Sequence, residues 1–423
     1  MAVMGVVRRL AAATPVPVLV LQGSGGGPAG DAERLRRDPR LDVVDSPRHA
    51  TVLLVAGALP PELHEPAALV HDALPHPRAT VRWGDADDGW GTSLALRPTA
   101  GDDDVAAAVL EVHRGLIDGT RDSEPPLMSS TSREPWRGVG PFGHGGSGMT
   151  GGVPHGRPLP DRADDLRDGL KLDALSVPVG PFYAPFPVGL MLDVVLQGDL
   201  VQEVHVHGNP FLAVSSSPTD VFARAATEPV RVAALEQARV VHHLRAIART
   251  LRLLGLHALA ARMVQHTDGP PEALLSAGPG LARLLRRTSV ERSLPPCGTL
   301  ADTTWDGHGF AARAAGSCRD ARSADPSYDN LGFTPVCGED GDVRARWRQR
   351  LAEIDQSIAL AAAAGTRLHE PGPVVEDPAS VTAELLPTLP DLLVGLEWGD
   401  AVAVVDSLDL DLRRTVPVDQ ATT

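Results

Sequence analysis

The chain is poor in several residue types, and each shortage excludes something. Lysine occurs once, at Lys171, so its cations are almost all arginine. Arginine's planar fork suits carboxylates better than a lysine point charge does. With abundant Ala, Gly and Pro, the skew points to a high-GC genome rather than to a chemistry. Cysteine occurs three times, at Cys297, Cys318 and Cys337, with no CxxC spacing, and residues 1–296 have none. That argues against a disulfide framework and fits a reduced cytosolic compartment. Positive charge is also short: 39 basic against 54 acidic side chains leave a net charge of −15. A general nucleic-acid binder needs surplus cation to neutralise phosphates, so that class is excluded. No run approaches the ~18–20 apolar residues of a membrane span. Met1–Ala13 lacks the apolar core of ~7 residues and the cleavage site of a signal peptide. The expected location is cytoplasmic, extended at most to peripheral attachment on the inner face of the cell membrane.

At 423 residues and 43% apolar content, two or three cored domains are expected. The first half reads as α/β. Pro15–Leu21 is a short buried strand that runs into Gln22-Gly23-Ser24-Gly25-Gly26-Gly27. Asp31–Arg37 starts a helix, and Leu41–Val44 is a second strand. His49–Gly57 is nearly continuously apolar, as a central parallel strand should be. Pro60-Pro61-Glu62 opens a helix running to Leu74, in which Pro66 implies a kink or a later start. Ala79–Trp83 is another strand. This alternation predicts a parallel, flavodoxin-like sheet over residues 1–117.

A Gly/Pro-rich linker is expected over 118–165. Gly138–Gly152 holds eight glycines in fifteen residues, too few side chains to bury an ordering core. Residues 166–423 read as an α+β domain of β-hairpin plus helical bundle. A loop, Gly180-Pro181-Phe182-Tyr183-Ala184-Pro185-Phe186-Pro187, precedes a hairpin. In that hairpin Leu190, Leu192, Val194 and Leu196 share a face, Gln197-Gly198-Asp199 turns, and Val201–Val206 returns. Glu228–His266 is helical, with Arg239, Arg245, Arg249 and Arg252 largely outside its apolar face and Gly255 dividing it. Further helices are expected at Glu272–Arg287, Asp342–Ala364 and Pro387–Leu408.

Candidate chemistry is sparse. The loop after the first strand sits where a phosphate-binding loop would, and Gly25, Gly27 and Gly30 satisfy GxGxxG with Asp45 downstream. It lacks GxxxxGK[ST], and Pro28 removes a backbone N–H, so a plain connecting loop is the first reading. Ser24 is not a nucleophile elbow, since Gln22 stands where GxSxG needs glycine. His205 and His207 share a strand face without a third ligand and read as solvent-facing. His242 and His243 read as helix surface or a small polar contact. Asp85, Asp87, Asp88 and Asp102–Asp104 read as solvated acidic turns. Cys337, before Gly338-Glu339-Asp340, reads as a structural or incidental thiol.

Two sets of stretches nevertheless match one family in order. Ser46-Pro47-Arg48-His49-Ala50-Thr51-Val52-Leu53-Leu54-Val55-Ala56-Gly57-Ala58-Leu59, then Ala73-Leu74-Pro75-His76-Pro77-Arg78 and Trp83-Gly84, resembles the B subunit of complex I-type NADH:quinone oxidoreductases. Its pattern is SPR-x-AD, a strand ending G-T-L, MPEP and MG-x-C. The Gly180 loop and hairpin resemble the start of the D subunit, GP-x-HP-xx-HG followed by strand–DG–strand. Arg239–Leu259 is similar to that subunit's central helix. Gly309–Gly316, Tyr328-Asp329, Gly338–Val343, Arg346, Gln356-Ser357 and Asp406-Ser407-Leu408-Asp409 resemble its later motifs.

The resemblance implies a B–D fusion, and the departures from it shape the expected function. The family's [4Fe–4S] cluster needs four ligands, normally thiolates. Its ligand positions fall at Gly23, Ser24 and Ala86, none of them cysteine. No cluster or other cofactor is therefore expected, and quinone enters only as a candidate substrate. The quinone-proximal histidine falls at Tyr183 and a second histidine at Pro187. Phe182, Tyr183 and Phe186 are the quinone-pocket candidates, and no catalytic residue or metal ligand is named. The reading is a degenerate accessory or paralogous subunit of an NADH dehydrogenase-like or hydrogenase-like membrane complex, partnered by its other subunits. Alternatives are an active quinone-binding subunit fed by a partner's cluster, and a soluble nucleotide-binding protein.

Overall fold

The computed structural model describes residues 14–24, 31–84, 104–128, 161–164, 166, 169–213, 221–267, 271–300, 309–372 and 382–414. Ala86, the Gly25–Gly30 loop, Asp85, Asp87, Asp88, Asp102 and Asp103, and the glycine-dense stretch 138–152 lie outside these residues.

In the first half, β1 (Val16–Gln22), β2 (Leu41–Val43), β3 (Val52–Ala56) and β4 (Ala79–Trp83) form one four-stranded parallel sheet in the order β2-β1-β3-β4. Every residue of β3 and β4 is buried; β3 is accordingly an unbroken apolar run, while β4 also buries Thr80 and Arg82. Helix α1 (Ala32–Leu35) is capped by Asp31, whose carboxylate accepts from the Arg34 amide. A 3-10 turn at Pro61–Leu63 precedes α2 (His64–Asp72), so Pro66 lies in the helix's first turn. Helix α3 (Val105–Asp118), absent from the sequence-based expectations, is capped by Asp104 and ended by Gly119 at φ +73°.

The sheet has two different faces. Val18, Val52, Leu54 and Val81 pack with Val105, Val109 and Val112 of α3. Leu19, Leu21, Leu53 and Val55 instead join the core of the second half. The start of the expected linker is also built in. Residues 119–128 run beside β4 and α2, with Glu124 accepting from the Thr80 amide at 2.9 Å and from its hydroxyl at 2.7 Å. Asp72 accepts from the amides of Leu127 and Met128, both at 2.9 Å. These bonds hold a stretch that its local composition marked as tether.

The second half opens with an antiparallel sheet of β5 (Asp161–Asp164), β6 (Lys171–Val179), β7 (Leu192–Gln197) and β8 (Leu200–Val206), in that order. The expected hairpin is β7–β8, turning at Gly198 with φ +63°. A register shift opposite Val195/Leu196 leaves Gln202 unpaired, and its amide donates to the buried Gln197 at 2.6 Å. Helices follow: α4 (Val232–Leu253), α5 (His257–Val264) beyond Gly255, α6 (Pro271–Arg287), α7 (Gly309–Ala314) and α8 (Val343–Ala364). The single helix expected over 387–408 is two, α9 (Leu389–Leu393) and α10 (Trp398–Leu408), interrupted at Gly395 with φ +83°.

The arginines of α4, expected largely outside its apolar face, are not free cations: Arg245 and Arg249 stay partly exposed, yet all four are drawn into ion pairs. Arg239 is 1% exposed, Arg249 reaches Asp409, and Arg252 Nη1 lies 2.6 Å from Glu33 Oε1 of α1. Arg245 lies 3.6 Å from Asp31, and Arg37 donates to the Val264 carbonyl at 3.1 Å. These contacts, with the shared apolar cluster, lock the two halves together. Cys318 and Cys337 are not free thiols either. A disulfide joins them with their Cα atoms 5.5 Å apart, because the stretch between α7 and α8 folds back on itself.

Candidate functional site

The aromatic loop before β7 is held from its ends. Gly180 has φ +97°, and a Cβ there would lie 1.9 Å from the Leu190 carbonyl oxygen. At Gly189 a Cβ would meet the Phe211 ring at 2.6 Å. Backbone bonds Gly189 N–H to Pro181 O (3.0 Å) and Phe186 N–H to Tyr183 O (2.8 Å) complete the turn. Phe186 is buried, while Phe182 and Tyr183 are half-buried. The Tyr183 and Phe186 rings meet edge-on at 5.1 Å, and Trp398 at the start of α10 lies 6.1 and 5.9 Å from them. Trp398 is brought there because its amide donates to Asp199 O and Val201 donates to Leu396 O. The structure thus gathers two of the three expected aromatics and adds Trp398, which the sequence did not single out.

At the carboxyl edge of the parallel sheet, strand order reverses between β1 and β3, the place where such sheets open a crevice. Here the two exits are tied together. Gly23 donates to Ala56 O (2.7 Å), and Ser24 and Ala58 exchange bonds of 2.9 and 2.7 Å. A Cβ at Gly23 would lie 2.2 Å from the Ala58 carbonyl oxygen. The Ser24 hydroxyl is buried without a hydrogen-bond partner among the described residues.

The densest polar chemistry lies elsewhere, between α4 and α8. Each helix carries a buried polar stripe at helical spacing: Glu236, Arg239 and His243 on α4, and Arg346, Arg350, Glu353 and Ser357 on α8. Glu353 accepts from Arg313 Nε at 2.8 Å, from Gln349 at 2.8 Å and from His243 Nε2 at 3.0 Å. Arg350 donates to Asp409 (3.0 Å) and to Ser407 O (3.0 Å), with its guanidinium 4.0 Å over the Phe310 ring. His242 and Arg249 also pair with Asp409. Glu236 takes Arg322 at 3.1 Å and the Tyr328 hydroxyl at 2.6 Å. Asp320 links Arg322 (2.7 Å) to Arg313 (3.3 Å).

These groups set one another's protonation. Burial alone would raise the Glu353 carboxyl, but Arg313 and His243 outweigh it and hold it well below the usual range. The same contest at Asp409 is won by His242, Arg350 and Arg249. Burial pushes Asp406 up instead. His243 is driven down to about 4, chiefly by burial, against the pull of Glu353. Its Nδ1 faces Arg350 Nη1 at 3.5 Å, which requires an unprotonated nitrogen there. Arg346 is brought down to about 9 by burial, with bonds to Ser407 Oγ and to the carbonyls of Gly298 and Gly341.

The histidine expectations resolve differently from one another. His207 bonds Asp193 at 2.9 Å with its ring 5.3 Å from His205. His243 is fully buried and His242 mostly so, and both are members of the ionic network rather than helix surface. Among the described residues, no three His, Cys, Asp or Glu side chains converge as a metal site. Among them, too, no helix is long and apolar enough to cross a membrane. The network itself escaped sequence reading, although its i, i+3, i+7 polar spacing was a signal.

Comparison with known proteins meets this network directly. Residues 301–410 match the respiratory-chain NADH dehydrogenase 49 Kd subunit family, and they contain Arg313, Asp320, Arg322, Arg346, Arg350, Glu353, Asp406 and Asp409. The second D-type subunit of NADH-quinone oxidoreductase from Chloroflexus aurantiacus is 41% identical over 71 residues, 16% of this chain. The matched stretch spans 17% of that relative's length. In the solved structure of the membrane-bound sulfane sulfur reductase, an archaeal respiratory membrane complex, one chain aligns with a TM-score of 0.41 at 17% identity, over 57% of this chain and 99% of that one. The chain therefore contains a region like the 49 kDa, or D-type, subunit of complex I-type NADH dehydrogenases.

Proposed function

We propose that this chain is a paralogous or accessory subunit of a complex I-like respiratory redox assembly, bearing a D-type helical half and a B-type α/β half. One observation carries the reading. The segment that matches the 49 Kd family is also the segment whose charged side chains close the buried network against α4. The family-like part is thus integral to the core and not an appended motif.

Electron-transfer ligands do not fit in the first half. Gly23 has no room for a side chain, Ser24 is a hydroxyl, and residues 1–296 have no cysteine, so a thiolate-held cluster has no ligand set there. Our reading is a scaffold that meets other subunits of the assembly and takes no cluster of its own. Affinity purification from the native membrane fraction tests it. Complex I-like or hydrogenase-like subunits should co-purify. Recovery of the chain alone from intact membranes, or an iron–sulfur EPR signal from the purified chain, overturns it.

The aromatic cluster favours a second reading, a quinone-binding subunit. Half-buried Tyr183, packed edge-on against buried Phe186, offers an apolar surface with one phenolic hydroxyl at the loop where the D-type pattern carries its histidine. A phenol can donate to a quinone carbonyl. Binding of a quinone analogue by wild type, weakened in Tyr183→Phe, supports it; binding by neither removes it.

A further inference from the structure

The stretch between α7 and α8, residues 315–342, has little apolar anchorage. Tyr328 is buried, and Phe333 is half-buried under the Arg322 guanidinium, 4.5 Å from its ring centre. Polar contacts hold the rest: Asp320 to Arg313, Arg322 to Glu236, the Tyr328 hydroxyl to Glu236, His369 to Asp325, and the side-chain amides of Gln356 and Gln349 to the Thr334 and Val336 carbonyls. The Cys318–Cys337 disulfide closes this stretch at its base across 19 positions. Cys318 is solvent-exposed and Cys337 half-buried. The remaining cysteine, Cys297, is half-buried with its thiol pushed up to about 11 by burial, so it is a poor competing nucleophile.

We propose that Cys318–Cys337 is a thiol–disulfide exchange site, reduced by an external dithiol, and that its reduction releases residues 318–337 from the buried charges they cover. A thiolate of the dithiol attacks Cys318 Sγ. A mixed disulfide forms as the Cys318–Cys337 bond breaks, and Cys337 Sγ leaves as a thiolate that takes a proton from water. The second thiolate of the dithiol then attacks the mixed disulfide and frees Cys318, which is protonated in turn. Two electrons pass to the bridge, and the dithiol ends as its own disulfide. Exposed disulfides are the labile ones, and this one is exposed on the Cys318 side. Because the stretch is attached mainly by polar contacts, the apolar surface bared by lifting it is confined to the small cluster of Tyr328, Leu331 and Phe333 against Val232, Leu360 and Ala364. It does bare Glu236 and Arg313, leaving them Arg239 and Glu353 as their nearest opposite charges. Low-stability segments of this kind are those that open locally.

The test uses the full-length protein with dithiothreitol as the probe. Thiol titration in denaturant without reductant should find the single thiol of Cys297. After native dithiothreitol treatment and removal of the reductant, the thiols of Cys318 and Cys337 should appear too. Trypsin under native conditions should then cut at Arg322 on the order of tenfold faster or more in the reduced protein, and reoxidation should restore slow cutting. Cys318→Ser/Cys337→Ser should cut at the fast rate with or without reductant. If that variant does not fold, the reduced and reoxidised wild type still decides the matter. Three free thiols before reduction, a bridge that yields only in denaturant, or equal cutting in both redox states overturns the proposal.

Discussion

Lowering the pH from 7 to 5 should weaken the helical core through His243. The ring is fully buried between α4 and α8, where Nε2 donates to Glu353 and Nδ1 faces the Arg350 guanidinium. A second ring proton would point at that cation. The ring therefore holds out against protonation until about pH 4, against an ordinary value of 6.5. In the unfolded chain the same ring takes up its proton near 6.5. Between the two values the unfolded state binds more protons, so stability falls as pH falls. The contribution is fully present above 6.5 and is lost as the pH drops to about 4. At about 1.4 kcal/mol per pH unit, about 2 kcal/mol should disappear between pH 7 and 5, and about 3 kcal/mol by pH 4. Urea unfolding followed by tryptophan fluorescence can read this, since Trp347 lies buried on α8. His243→Gln keeps a donor for Glu353 but cannot titrate, so its stability should depend less on pH by that amount. An unchanged pH slope in the variant would refute the reasoning, as would an NMR titration of native His243 near 6.5.

Glu353→Ala leaves Arg313 and His243 facing a void and should cost about 3–5 kcal/mol at pH 7, read by urea midpoint. Because the Glu353 carboxyl sits well below its ordinary 4.5, that deficit should shrink as pH falls below 4.5. Gly23→Ala drives a methyl to 2.2 Å from the Ala58 carbonyl and should destabilise the sheet half by about 1–3 kcal/mol, read by thermal unfolding; no change would mean the β1 and β3 exits are not tied together. Cys318→Ser/Cys337→Ser should lose about 2–4 kcal/mol relative to the oxidised protein and nothing relative to the reduced one.

What the sequence made legible was what local pattern can encode. β3 stands out because a strand buried on both faces is a continuous apolar run, and β1 comes close to the same pattern. The ends of α8 are readable because Asp342 is a good cap and Gly365 a good stop. α3 is easily missed although Val105, Val109, Val112 and Leu116 repeat at helical spacing, because Asp102–Asp104 looks like a loop and Asp104 is in fact the cap. β6 is hidden by its exposure, with Leu172 and Leu175 each about half accessible and Pro178 near its end. The ionic network is out of reach for another reason. Arg350 pairs with Asp409, and Arg322 with Glu236, across tens of residues, and an arginine that will be buried looks in sequence like one that will be solvated. Trp398 beside Tyr183 and the Cys318–Cys337 bridge depend on the same long-range return of the chain.

Asp409, at the left-handed cap of α10 with φ +59°, has a consequence for the order in which this protein can be made. It is the carboxylate for His242 and Arg249 of α4 and for Arg350 of α8. A ribosome produces both helices well before it reaches residue 409. Until then the two polar stripes hold more cation than anion, and closing them on each other would bury Arg350 without its partner, at a cost of several kcal/mol. The nascent helices must therefore stay apart, or stay wet, until residue 409 has been made. The direction of synthesis runs against the order of burial, and one late aspartate sets the moment at which the helical core can shut.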